Sequence, residues 1–215
     1  NWKGTIVQTT QKNSSIGVSR RVNFRWRVVD IVVAAVIGVA SGFVFLAWDI
    51  PTGPLGSLLG ASLPGVQGLL GGGWLFAGVL GGLVIRKPGA ALYTELLAAA
   101  VEALVGNQWG GPLTLLSGLV QGLGAELVFA AFLYGSYRLY VALLAGGAAG
   151  LFLAVNDLIV WYPGSTPAFA SIYLVSSIVS GIVLAGLLSA FVVKGLAKTG
   201  ALNRFASGRG SAVRV

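Results

Sequence analysis

Cysteine, histidine and methionine are absent from this 215-residue chain, and acids are scarce, with six Asp and Glu against 14 Lys and Arg. Without Cys there are no disulfides, thiolate metal sites or cysteine nucleophiles. Without His the usual zinc ligand sets, imidazole proton relays and Ser-His triads fall away. Charged residues make up 9% of the chain and apolar ones 56%, where soluble domains carry roughly 25% and 45–50%. So few charges cannot cover a globule of this size in water, and a soluble enzyme is excluded. A mean hydropathy of +0.87 leads to the same place: the chain reads as an all-α integral membrane protein. It begins at Asn1 and has no Met, so the numbered chain is expected to be part of a longer translation product.

Glycine is the main surplus, with 33 residues, about twice the usual share of roughly 7%. In lipid, that much glycine marks helices that touch or helices that break. Residues 1–27 are polar and carry Lys3, Lys12, Arg20, Arg21, Arg25 and Arg27. They read as a basic tail that orients the protein and meets anionic lipid head groups. Apolar runs follow at residues 28–48, 55–85, 90–105, 113–133, 139–155 and 168–193. Counted as single crossings they predict six transmembrane helices over residues 28–194, with a second basic tail at 195–215. The second span is expected to be broken. Pro64 and Gly71-Gly72-Gly73 split it into pieces at 58–70 and 74–85, each shorter than the roughly 17–25 residues a span needs.

Six crossings place all 14 cations and both termini on the cytoplasmic side, as basic-loop asymmetry requires. The opposite loops, 49–54, 106–112 and 156–167, then hold no Lys or Arg. No folded basic surface with interleaved aromatics is legible, so nucleic acid is not an expected partner. No metal ligand set and no cofactor are implied.

Three acids lie within the spans: Glu95 and Glu102 on one face of the third, and Glu126 on the fourth. An ionised carboxylate there costs about 2.5–3.5 kcal/mol, so each is either a helix–helix hydrogen bond or part of a site. The outer loops gather Trp48 with Asp49, then Asn107, Gln108 and Trp109, then Asn156, Asp157, Trp161 and Tyr162. The sixth span adds Tyr173, Ser177 and Ser180 at helical spacing. Together they predict a cavity in the outer half, lined by carboxylates, amides, hydroxyls and aromatic faces.

That chemistry suits a small, flat, cationic heteroaromatic molecule. Rings stack on indoles, an indole face stabilises a positive charge by about 0.5–2 kcal/mol, and amides read ring nitrogens. Glu102 is the expected counter-charge and Trp109 the stacking platform, with Trp161 and Tyr162 as alternates. Gln108 and Asn156 would read ring nitrogens; Tyr173, Ser177 and Gln121 would form the floor; Glu126 is held in reserve. On the first span Ala34, Gly38 and Gly42 recur every four residues, with Ala35 alongside. This small-residue face is either internal packing or a docking surface for a partner.

The chain resembles the S-components of energy-coupling-factor vitamin transporters over roughly residues 25–205. The run from Trp26-Arg27-Val28-Val29-Asp30 to Phe43, the stretch 65–73, and Glu95 through Gly106-Asn107-Gln108-Trp109 look most like the YkoE family, implicated in thiamine or hydroxymethylpyrimidine uptake. The resemblance implies a substrate-capture subunit in a bacterial plasma membrane. Its partners would be a thiamine-like ligand, a transmembrane coupling subunit and two ATPases. This chain has no Walker motif of its own. The family's Ala-xxx-Ala docking motif has no full counterpart, because Val39 follows Ala35 at the fourth position. Two other readings compete. An intramembrane carboxylate enzyme lacks an aspartyl motif around Glu95 or Glu126, and a self-sufficient transporter lacks inverted repeats.

The topology has a direct test, since there is no native Cys. A cysteine placed at position 138 should stay unlabelled by an impermeant maleimide added outside intact cells. Labelling there would overturn the six-span arrangement.

Overall fold

The computed structural model describes residues 24–209, and among them every regular element is helical. In order these are α1 (Val28–Ser62), a 3₁₀ segment (Val66–Trp74), α2 (Phe76–Ile85), α3 (Ala90–Val105), α4 (Gly111–Ala131), α5 (Leu139–Val160) and α6 (Pro167–Ser180). A π-helical segment (Gly181–Leu187) joins α6 to α7 (Leu188–Lys198), and a four-residue turn of helix, α8 (Ala206–Arg209), ends the described chain. Five helical stretches are long and apolar enough to cross a membrane: Val28–Ser62, Val66–Ile85, Gly111–Ala131, Leu139–Val160 and Pro167–Lys198. The 16 residues of α3 are shorter, and it packs between α1, α2 and α4. Most of residues 1–27, expected as a tail, lies outside the described residues.

Of the two breaks expected in the second span, the structure has the one at Pro64 and not the one at the glycine triplet. Residues 49–54, read as an outer loop, are helical: α1 runs unbroken for 35 residues through Pro51 and Pro54. Proline costs a helix one hydrogen bond but keeps a helical φ. Between the two prolines the Thr52 hydroxyl donates to the Asp49 carbonyl at 2.8 Å. The real break is the turn at Leu63–Gly65, where Gly65 has φ 102°, and the glycine triplet lies inside the 3₁₀ segment. Likewise Asn156 and Asp157, assigned to a loop, sit in the last turns of α5.

The 3₁₀ segment follows from its glycine spacing. At three residues per turn, positions i and i+3 share a face, so Gly65, Gly68 and Gly71 form one bare stripe. That stripe lies against α6 and α5. A Cβ at Gly65 would sit 2.8 Å from the Phe169 carbonyl, at Gly68 2.7 Å from that of Tyr173, and at Gly71 3.0 Å from Leu153. Ser180 locks the contact, accepting from the Gly72 amide at 2.9 Å and donating to the Leu69 carbonyl. Behind it α5 crosses the π segment backbone to backbone, since a Cβ at Gly146 or Gly181 would collide with the other residue.

One end of the bundle is basic. There Asp30 is fully buried and takes the Arg27 guanidinium at 2.7 and 3.1 Å; Lys87 stands 4.0 Å away, and Arg86 lies over Tyr137. Residues 195–209, expected as part of a tail, fold back over this end. Leu202 and Phe205 bury with Ala34, Leu80, Val84 and Ile85, and Ser207 donates to the Val84 carbonyl at 3.0 Å.

The docking face expected on Ala34, Gly38 and Gly42 is covered by the protein itself. All three are buried: Ala34 packs with Leu80 and Val84, while Gly38 and Gly42 receive Leu97 and Val101 of α3. Only Ala35 is part-exposed. The missing side chains serve the α1–α3 crossing. A Cβ at Gly42 would stand 2.7 Å from both the Ala98 carbonyl and the Val101 Cβ. Gly42→Ala should therefore cost about 1–3 kcal/mol of stability, read as a lowered melting temperature of the detergent-purified protein. Gly53→Ala, whose Cβ meets nothing within 4 Å, is the control and should not lower it.

Candidate functional site

At the end opposite the basic one, α1, the 3₁₀ segment and α3 to α6 enclose a cavity of about 150 Å³. Its wall holds three tryptophans, two tyrosines and two acids, and among the described residues no Lys or Arg lines it. The 3₁₀ segment supplies one side through Gln67, Leu70, Gly71 and Trp74.

Trp74, Trp109 and Trp161 form a continuous aromatic wall. Trp74 and Trp109 meet edge-on at 5.7 Å and 90°, and Trp109 and Trp161 at 5.7 Å and 63°. The indole N–H groups of Trp74 and Trp109 both donate to Asp49 Oδ1, at 3.1 and 3.0 Å. Glu102, 3% exposed, projects from α3 beside Asp49 and Asn107. Its Oε1 and the Asp49 Oδ2 are buried without a hydrogen-bond partner among the described residues.

Across the cavity Asp157 is held from two sides. The Tyr173 hydroxyl donates to Oδ2 at 2.6 Å, and Asn156 Nδ2 donates to Oδ1 at 3.2 Å and to Ser117 Oγ at 3.1 Å. Tyr162 packs on Tyr173 at 5.2 Å. Burial above all, with Asp157 nearby, pushes its phenol up despite Gln67 beside it, so it is a neutral hydroxyl at pH 7. Such a wall offers aromatic faces, hydroxyls and an amide to a flat ring, and buried negative charge to a cation.

Six residues singled out from the sequence share this cavity: Glu102, Trp109, Gln121, Trp161, Tyr162 and Tyr173. Six others do not line it. Trp48 donates to the Leu70 carbonyl at 3.0 Å and fills the space beside Gly73. Asn107 spans its own turn, donating to Thr114 and accepting from the Trp109 amide. Gln108 is exposed, Asn156 supports Asp157, and Ser177 is buried against Gly68.

Glu126 is far removed in role. Near the basic end it accepts from the amides of Gly89, Ala91 and Leu92 at 2.6, 2.9 and 3.3 Å and from the Tyr134 hydroxyl at 2.8 Å. It caps the N-terminus of α3, where three amides lack helical partners and the helix dipole favours an anion. Glu95, 1% exposed, accepts from the Gly78 amide at 2.5 Å and ties α3 to α2.

Residues 29–152 match the family model described as the permease component of an ABC-type cobalt transport system. The chain is 40% identical over 189 residues to YkoE of Bacillus subtilis (strain 168), which carries the name HMP/thiamine permease protein; the match spans 86% of this chain and 91% of that one. Its fold superposes on a crystal structure of an S-component of an ECF transporter with a TM-score of 0.79 and 38% identity, covering 87% of this chain and 94% of that one. The chain belongs to the energy-coupling-factor S-components. It is accordingly a substrate-binding subunit of a vitamin importer and a multi-pass protein of the plasma membrane.

Several cavity residues of this S-component escaped the sequence reading. Gln67 and Trp74 were hidden because dividing the stretch at the glycine triplet puts them in separate pieces, 58–70 and 74–85. Thr114 and Ser117 lay at an ordinary-looking span start. Asp157 was noted as an uncompensated acid, and its Tyr173 partner is 16 residues away.

Glu126→Ala would strand three amides and a hydroxyl. At about 1–3 kcal/mol for each buried donor left unpaired, it should lower the melting temperature strongly. Tyr134→Phe, which removes one of the four donors, should lower it only slightly.

Proposed function

We propose that this S-component captures thiamine, or a thiamine precursor such as hydroxymethylpyrimidine, in the indole-lined cavity. The observation that carries this reading is the cavity wall: Trp74, Trp109 and Trp161 stand beside a buried Glu102, and among the described residues no cationic side chain lines the site to neutralise it. The printed name of the Bacillus subtilis relative, an HMP/thiamine permease protein, supports the same ligand class. The donor set suits an organic cation better than a bare metal ion. Among the described residues no three His, Cys, Asp or Glu side chains cluster as a metal ion needs.

In this reading nothing covalent happens at the site. Stacking, charge and hydrogen bonds hold the ligand, and a transmembrane coupling subunit with two cytoplasmic ATPases supplies the work. The ligand arrives from outside at the indole end. The chain crosses the membrane six times, α3 being the short crossing, with both termini in the cytoplasm. The gathering of Arg27, Arg86 and Lys87 at the end away from the cavity supports that orientation. The coupling subunit meets the outward face of α1, where Val32, Val36 and Phe43 are exposed and Ala35 lies at the edge.

Glu102 supplies the counter-charge, Trp109 and Trp161 the platforms, and Gln121 and Tyr162 the hydrogen bonds. Glu102→Gln keeps the shape and removes the charge. It should weaken thiamine by about 2–4 kcal/mol, roughly 30- to 1000-fold in affinity, and neutral hydroxymethylpyrimidine far less. Calorimetric titration with both ligands checks this. Equal losses would make Glu102 structural, and no loss would place the ligand elsewhere.

A further inference from the structure

Asp49 stands at the cavity without lining it. It borders an open vestibule between α1 and the turn at 106–110, together with Ile50, Gly53, Asn107 and Gln108, and so lies behind the indoles of Trp74 and Trp109. Its Oδ1 accepts both indole N–H groups, from residues 25 and 60 positions away in the chain. A single carboxylate oxygen thus joins α1, the 3₁₀ segment and the 106–110 turn, and the two rings meet at 90°. Gly106 and Gly110, both with positive φ and with open space where a Cβ would be, flank the turn that carries Trp109. Asn107 braces the backbone of that turn, and the hydrogen bond to Asp49 fixes the indole.

The bond also has an electronic effect. A charge-assisted N–H···O⁻ bond is roughly twice as strong as a neutral one. It draws positive charge toward the N–H edge and leaves the ring face more negative, which is the face a cation seeks. The other oxygen, Oδ2, is buried next to Glu102 and has no hydrogen-bond partner among the described residues, so the field of Asp49 reaches the same wall.

We propose that Asp49 is a positioning and selectivity residue, which holds Trp74 and Trp109 at right angles and makes their faces favourable to an organic cation without touching that cation itself. This rests on the ligand class argued above. It separates two roles that a single deletion would confuse. Asparagine keeps an oxygen that accepts both indoles but removes the charge; alanine removes both.

The test is calorimetric titration of the detergent-purified subunit with thiamine and with neutral hydroxymethylpyrimidine, alongside tryptophan emission of the ligand-free protein. Asp49→Asn should leave the emission close to wild type, lower thiamine affinity about 10- to 100-fold and leave hydroxymethylpyrimidine nearly unaffected. Asp49→Ala should shift the emission and weaken both ligands. In a Trp74→Phe background, where one N–H is already gone, Asp49→Ala should cost less than it does in the wild type. Equal losses of both ligands in Asp49→Asn, or full additivity with Trp74→Phe, would overturn the role. If the wild type binds neither ligand, the ligand reading fails as well. If the wild type binds and Asp49→Asn matches it, the role of Asp49 alone fails.

Discussion

A 3₁₀ segment forms poorer hydrogen bonds than an α-helix, and in an apolar medium no water stands by to satisfy what it leaves open. The nine residues Val66–Trp74 persist because α6 comes close enough to collect those groups. Ser180 bonds the backbone at two points, and the glycine stripe removes every side chain that would hold the two elements apart. The cavity depends on this contact. With Gly65, Gly68 and Gly72 seated on α6 and Gly71 against Leu153 of α5, Gln67, Leu70 and Trp74 of the same segment line the cavity. A side chain at Gly68 would push the segment off α6 and move the indole of Trp74 away from Asp49.

The buried acids show how location rather than residue type assigns a role. Glu126 and Asp30 are each satisfied locally, by the amides at the start of α3 and by Arg27 with Lys87. Glu95 takes the Gly78 amide on one oxygen, and its other oxygen, like one of Glu102, is buried without a hydrogen-bond partner among the described residues. Position sets Glu102 apart: it lines the cavity with an acid for a neighbour, whereas Glu95 lies between α3 and α2.

The two ends of the bundle divide the remaining work. At the basic end the chain closes on itself, with Leu202, Phe205 and Ser207 packed over α2 and Trp26 donating to the Pro88 carbonyl. At the other end the elements stop short of one another and leave space rimmed by indoles. Between the two ends, glycine crossings hold α5 against the π segment.

Composition and charge distribution settled the class of this protein without coordinates, because the free energy of placing 56% apolar residues depends on solvent and hardly on topology. The all-helical class, the aromatic and acidic end, and half of the expected cavity residues were legible for the same reason: hydropathy and charge are properties of residues one at a time. The sequence could not say which small-residue face was covered, since Ala34, Gly38 and Gly42 look alike whether they meet α3 or a partner. Nor could it distinguish Glu126 from Glu102, because whether a carboxylate is satisfied depends on amides from a different helix. Prolines 51 and 54 lie inside a helix where a loop was expected. Gln67 and Trp74 reach the site because Gly65 and Gly68 seat their segment on α6 and Gly71 on α5. Pairwise contacts between distant segments made those decisions, and a linear sequence lists the contacting groups without saying which of them meet.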